Sequence, residues 1–162
     1  MPGPEYERLS DGAHLAVVLA ERDARLAGQD VVSVEHLLVA LAESDEQVAQ
    51  RLASFGVTVD ALRDRVAEWG VARPVGAVER TVFSPTLRRA VQLGGRVAAQ
   101  ERSPMIEGRH LLSALLEVED EFVLRVLISL GVDPGALRRR PADEPDAPTR
   151  PRRTLLALLT GR

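Results

Sequence analysis

The chain contains two copies of one segment, and this duplication limits its architecture more than any other feature. Residues 33–41 and 107–115 align around a shared His-Leu-Leu run, so that His110 lies 74 residues after His36. Downstream, residues 52–57 align with residues 127–132 at an offset of 75, which indicates one inserted residue in the second copy. Because each copy of a repeat forms the same structural unit, we expect two similar halves packed together.

The repeats divide the chain into consecutive parts. These are an extension at 1–8, repeat one at 9–69, a linker at 70–82, repeat two at 83–139, and a terminal segment at 140–162. The Pro- and charge-rich start of the terminal segment has too few apolar residues to bury, so we expect it to be disordered or extended. The segment ends in a short apolar tail at 153–160, which we expect to fold back or to bind another surface.

Each copy is predicted to contain four helices. Matching start and stop signals occur in both copies: Ser10 and Ser84 as caps of the first helix, Ser33 and Glu107 before the second, Gly56 and Gly131 after the third, and Thr58 and Asp133 before the fourth. Pro85 fits the first position of its helix, where the missing N–H has no intrahelical partner. No alternating pattern typical of strands is present. The expected fold is all-α, with about eight helices and a pseudo-two-fold relation.

Three finer predictions concern helix faces and caps. Apolar residues at helical spacing predict the buried stripe of each first helix: Leu15, Val18, Leu19 and Leu26 in repeat one, and Leu87, Ala90, Val91 and Ala98 in repeat two. Residues 44–47 have the capping-box pattern and predict the start of the third helix at Ser44. Leu38 and Leu112, at the centre of the second helix of each copy, are expected in the core.

Composition and motifs argue against catalysis, metal binding and cofactor binding. The sequence has no cysteine and no lysine, which excludes thiolate metal sites, Schiff-base lysines and the lysine of a phosphate-binding loop. No nucleophile elbow and no calcium-loop spacing are present. His36 and His110 occupy equivalent positions beside core leucines, so we interpret them as structural, and His14 as a surface residue.

Charge and hydropathy bear on partners and location. A net charge of −3 and an aromatic content of 3% argue against a nucleic-acid partner. The chain has no signal-peptide pattern and no apolar run of membrane-spanning length, so we expect a cytoplasmic monomer without membrane contact.

The run from Glu35 to Leu38, Glu-His-Leu-Leu, stands in a duplicated eight-helix chain whose third helices end in Phe-Gly-Val or Leu-Gly-Val. This combination resembles the Clp N repeat, the amino-terminal domain of Clp unfoldases of the ClpC type. The resemblance covers residues 9–139. It implies a domain that receives adaptors and substrates, here without the ATPase modules, since a chain without lysine lacks their phosphate-binding loop. An accessory, adaptor-like or decoy factor is implied, with a Clp unfoldase, its adaptors or substrate proteins as partners.

The resemblance also implies a ligand site at the start of the second helix. In ClpC-type domains the glutamate of this motif is associated with phosphoarginine recognition; repeat one has Glu35, whereas repeat two has Arg109. Glu35 would pair with the guanidinium while the helix start at Ser33 and Val34 holds the phosphate, so at most one such site is expected. The alternative is that Glu35 only complements the helix dipole.

The family's hydrophobic groove, which takes cyclic peptides, corresponds here to Leu9 and Phe83, with Arg88 following. The alternative for Phe83 is a hydrophobic staple that precedes the Ser84 cap and packs inward. Two other functions stay open: a helical DNA-binding regulator that uses the terminal arginines, and a scaffold that docks partners through residues 155–159.

Overall fold

The computed structural model describes residues 3–70 and 78–139, which form eight α-helices, one short 3₁₀-helix and two short strands. In chain order the elements are the 3₁₀-helix Pro4–Arg8, α1 Asp11–Leu26, β1 Val31–Val32, α2 Val34–Ser44, α3 Glu46–Ala53, α4 Val59–Trp69, β2 Val82–Phe83, α5 Pro85–Gln100, α6 Gly108–Glu117, α7 Glu121–Ser129 and α8 Pro134–Arg138. The predicted all-α class and the two four-helix repeats are confirmed. Most of the predicted linker and all of the terminal segment, with its apolar tail, lie outside the described residues.

The two strands, which the sequence did not predict, connect the repeats. Val32 pairs with Phe83 in parallel, and Leu9 pairs with Ile106 in the same sense. The two pairs are equivalent by the repeat, because Leu9 corresponds to Phe83 and Val32 corresponds to Ile106 at the offset of 74 residues. Each repeat therefore contributes an extended segment to the other. Segments of two residues are too short to show a period of two, so no strand pattern was visible in the sequence. Val82, which the sequence assigned to the linker, lies in β2.

The predicted buried stripe of α1 is wrong. Leu15, Val18 and Leu26 are 48%, 45% and 75% exposed, and Leu19 is only partly buried. The buried face consists of smaller residues, namely Ala13, Ala16, Val17, Ala20 and Ala24. Small side chains allow the backbones of α1 and α2 to approach closely, and the larger residues then point to solvent or to the grooves described below.

The corresponding face of α5 follows the prediction. Leu87, Ala90, Val91 and Ala98 are buried. Gly94, at the position of Ala20, lies so close to α6 that a Cβ atom there would be 2.9 Å from Leu111. Both first helices therefore pack through small residues.

Most predicted caps are confirmed, and one is misplaced. Ser10, Thr58 and Ser84 each accept a backbone hydrogen bond at the starts of α1, α4 and α5. The start of α3 is capped by Asp45, whose carboxylate accepts from the N–H of Val48 at 3.1 Å. Ser44 is the last residue of α2, so the capping-box prediction was off by one residue.

The core contains the central residues of both second helices. Leu38 is 0% exposed and Leu112 is 5% exposed, as predicted. None of the helices within the described residues is long and apolar enough to span a bilayer.

Candidate functional site

Glu35 lies in the first turn of α2, between two cavities. One, which we call the repeat-one groove, has a volume of about 480 Å³; its apolar wall includes Leu26, Val39, Val66 and Phe122. The other, of about 520 Å³, lies between Glu35 and the start of α5 at Ser84 and Thr86. Glu35 is thus the acidic residue shared by both cavities, and Gln29 is a second polar residue common to the two.

The environment of Glu35 disfavours its charged form. Burial raises the pKa of Glu35 above its ordinary value, the nearby Asp120 raises it further, and a hydrogen bond from its own backbone N–H opposes the shift. A half-buried carboxylate beside another acid gains from pairing with a cation, because the cation replaces the lost hydration. The local field therefore favours a positively charged ligand group.

The two other residues predicted beside Glu35 contribute less than expected. The N–H of Ser33 donates to Nδ1 of His36 at 3.0 Å, so this donor is already used within the protein. The side chain of Val34 is 1% exposed and belongs to the core. Ser33 nevertheless lines the second cavity beside Glu35, so two of the three residues predicted at this site share one cavity.

The two buried histidines have structural roles. Nδ1 of His110 accepts from the N–H of Glu107 at 2.9 Å, which repeats the contact between His36 and Ser33. Each histidine thereby closes the first turn of its helix. Burial lowers the pKa of His36, which favours the neutral ring that this contact needs. Within the described ranges, no cluster of three or more histidine and acidic side chains could hold a metal ion.

The position equivalent to Glu35 in repeat two is occupied by Arg109. Its guanidinium pairs with Glu101 at 2.5 Å and with Glu107 at 2.7 Å. These hydrogen bonds and charges raise the pKa of Arg109. Repeat two therefore presents a cation where repeat one presents an anion.

A second candidate site, which we call the Tyr6–Phe83 groove, lies where the 3₁₀-helix meets β2 and has a volume of about 810 Å³. The rings of Tyr6 and Phe83 stack with centroids 5.6 Å apart and planes 4° from parallel. Val17, Val18 and Arg88 also line the groove. Two of the three residues assigned to it from the sequence, Phe83 and Arg88, are thus brought together.

Leu9, the third residue assigned to this groove, lies elsewhere. It is 5% exposed, pairs with Ile106 and belongs to the core. Phe83 is partly buried against the same core, so inward packing and groove lining occur together. Leu9 is therefore placed to support the fold and not the groove surface.

Sequence reasoning missed Tyr6, which it assigned to the extension at 1–8. The hydroxyl of Tyr6 is buried and has no hydrogen-bond partner among the described residues. Burial, with Glu21 and Glu5, raises its pKa to about 12, against the opposing effect of Arg88. The hydroxyl is thus a buried, protonated group that does not itself reach the groove surface. The available signal was weak, since Tyr6 is the chain's single tyrosine.

Comparison with known proteins decides the family. The sequence profile of the Clp repeat (R) N-terminal domain matches residues 8–78 and 82–148. The chain belongs to this family. The chaperone protein ClpD2 from the chloroplast of Oryza sativa subsp. japonica is 32% identical over 140 residues, which cover 83% of this chain and 15% of that protein.

Solved structures agree with the fold of the Clp N domain. The N-terminal domain of ClpD from Arabidopsis thaliana superimposes with a TM-score of 0.67 at 25% identity, covering 82% of this chain and 91% of that one. The ClpV N-domain in its complex with a VipB peptide gives a TM-score of 0.68 at 22% identity, covering 85% and 87%. The second likeness concerns the fold alone. The chain spans about 15% of the length of the chaperones that it matches.

Proposed function

We propose that this Clp N domain is a non-catalytic module that binds peptides, with its main site at Glu35, and that it acts as an accessory or adaptor-like factor in Clp-dependent proteolysis. The observation that carries the proposal is the half-buried carboxylate of Glu35 between two cavities, one of them with an apolar wall. The ClpV N-domain of the same fold in complex with a VipB peptide supports a peptide ligand.

The ligand group that best fits this site is a phosphorylated arginine side chain. Its guanidinium part would pair with Glu35, and its phosphate would lie at the start of α5, where Ser84 and Thr86 face the same cavity. Pro85 has no N–H and the N–H of Leu87 donates to the side chain of Ser84, so the N–H of Thr86 and the dipole of this 16-residue helix would favour the anion. Asp120 in the same cavity repels a phosphate placed close to it, so the phosphate must lie on the α5 side.

Isothermal calorimetry with a short phosphoarginine peptide tests the assignment. Glu35→Gln keeps the side-chain volume but removes the charge, so we expect affinity to fall by more than about tenfold, as for a lost charge-assisted hydrogen bond. Glu117→Gln is the matched control, because Glu117 is exposed at the end of α6 and lines neither cavity. Equal affinity of the Glu35→Gln variant and the wild type would place the site elsewhere.

The Tyr6–Phe83 groove is a second candidate site, for apolar or cyclic peptides. The stacked rings offer a large apolar surface for such a ligand. Phe83→Ala should weaken the binding of an apolar cyclic peptide without changing the binding of phosphoarginine. Loss of both would show that the substitution damages the fold.

A further inference from the structure

The repeat-one groove has a counterpart in repeat two, and the two differ in charge. This counterpart, which we call the repeat-two groove, has a volume of about 580 Å³ and is lined by residues of α3, α6 and α8. The repeat offset relates its lining to that of the repeat-one groove: Arg109 replaces Glu35, Glu101 replaces Ala27, and Gln47 replaces Phe122. The fold thus presents one groove twice, with different chemistry.

Arginines surround the repeat-two groove, and buried aliphatic side chains form its floor. The arginines are Arg51, Arg109, Arg138 and Arg139. The floor consists of Val48, Leu112, Leu116 and Leu137, each at most 5% exposed. Among the described lining residues, Glu101 is the single acid. The lining of the repeat-one groove instead has more acids than bases: Asp23, Glu35 and Glu43 against Arg22 and Arg63.

Contacts within the protein hold the guanidinium groups on the rim. Arg51 donates to the backbone carbonyl of Arg139 at 2.5 Å, and Arg138 donates to the carbonyl of Leu116 at 3.0 Å. Arg109 is oriented by Glu101 and Glu107. Much of the side-chain entropy of these groups is therefore lost on folding, which lowers the entropic cost of binding a ligand.

We propose that the repeat-two groove binds an acidic segment of a partner protein, with carboxylates on the arginine rim and an apolar side chain on the floor. Guanidinium groups pair with carboxylates through two parallel hydrogen bonds, and the aliphatic floor accepts an apolar side chain. A nucleic acid fits less well, because the described lining has no aromatic side chain for base stacking. The groove is separate from the Glu35 site and has Arg109 where that site has Glu35, so the inference does not depend on the proposed function.

Fluorescence anisotropy with a labelled peptide of Glu-Glu-Leu repeats tests the proposal on the full chain. We expect saturable binding that weakens with salt, because exposed charges are screened. Arg139→Glu should lower the affinity at least about tenfold. Arg89→Glu is the matched control, since it makes the same change of net charge at an exposed position of α5 outside the groove, and it should change the affinity by less than about twofold. A Lys-Lys-Leu peptide should not bind at this groove.

Further variants distinguish binding in this groove from binding at the Glu35 site and from a general attraction between opposite charges. Glu35→Gln should leave the binding of the acidic peptide unchanged, whatever its effect on phosphoarginine. Arg109→Gln, which removes a rim charge without adding an acid, should weaken binding in the same direction as Arg139→Glu. Absence of binding to the wild type, equal losses in Arg89→Glu and Arg139→Glu, or displacement of the peptide by duplex DNA would overturn the proposal. Tighter binding of the acidic peptide after Asp143, Glu144 and Asp146 are replaced by their amides would also overturn the proposal. It would show that these acidic residues of the chain itself occupy the groove.

Discussion

Glu35 is a residue at which stability and binding have opposite requirements. Burial raises its pKa, so the ionised carboxylate is less favourable in the folded chain than in the unfolded one. For an acid with a raised pKa, the contribution to stability is present below the unfolded pKa and is lost as the pH rises through the folded pKa. At neutral pH, Glu35 therefore destabilises the free domain, and a cationic ligand relieves this cost.

We expect Glu35→Gln to raise the melting temperature of the free protein at pH 7. The neutral amide avoids the desolvation of a charge, so the advantage should shrink as the pH falls through the folded pKa and disappear below the ordinary value of 4.5. Thermal melts monitored by circular dichroism between pH 3.5 and 7.5 measure this. Glu117→Gln should show no such pH-dependent gain. A variant less stable than wild type at pH 7 would contradict the assigned cause of the pKa shift.

At the scale of single elements, the third helices illustrate how local backbone geometry is encoded. Gly56 and Gly131 follow α3 and α7 with φ of 79° and 81°, in the left-handed region that favours glycine. The N–H of the next residue returns to the helix in both repeats, from Val57 to Leu52 and from Val132 to Leu127. These two stops could be predicted because the requirement is local.

We expect Gly56→Ala and Gly131→Ala each to lower the free energy of unfolding by about 1 kcal/mol, the cost of a Cβ atom in the left-handed region. A Cβ atom at either position would meet no atom within 4 Å, so the loss would report backbone strain and not a clash. Urea denaturation measures the change. Gly12→Ala, in the first turn of α1 and also in open space, is the control and should be neutral or stabilising. Similar values at all three positions would refute backbone strain as the cause.

At the scale of the whole molecule, the repeats form one structure and not two independent ones. The extended segments are exchanged between the repeats through the pairs Val32 with Phe83 and Leu9 with Ile106. Trp69, at the end of α4, lies under the guanidinium of Arg125 from α7, with 5.7 Å from the carbon to the ring centroid. Each repeat thus lacks part of its packing without the other.

We expect Leu38→Ala and Leu112→Ala each to destabilise the whole domain by about 2 to 5 kcal/mol, as buried leucines do when a cavity remains. Because the repeats interlock, either substitution should shift one common unfolding transition. Trp69 fluorescence and circular dichroism should give the same midpoint for each variant. Leu26→Ala, at a position 75% exposed, should change little. Two separate transitions would show that the repeats fold independently.

Local chemistry explains which predictions succeeded. The repeat, the all-α class, the glycine stops and most caps follow from residues close together in the chain, as with Ser10, Ser84 and Gly56. The buried face of α1 could not be predicted from its large apolar residues, because α1 packs on α2 through alanines, whose small side chains permit a close approach. Val18, expected in the core, instead lines the Tyr6–Phe83 groove.

The sequence by itself determined the duplicated helical architecture and the opposite charges at Glu35 and Arg109, since both are properties of residue identity and spacing. Only the tertiary structure decided that Tyr6 stacks on Phe83, that Leu9 is buried, and that four arginines from distant parts of the chain surround one groove. The physical reason is that these contacts join segments separated by many residues. Their relative positions are set by how the two repeats pack and exchange strands, which no local pattern encodes.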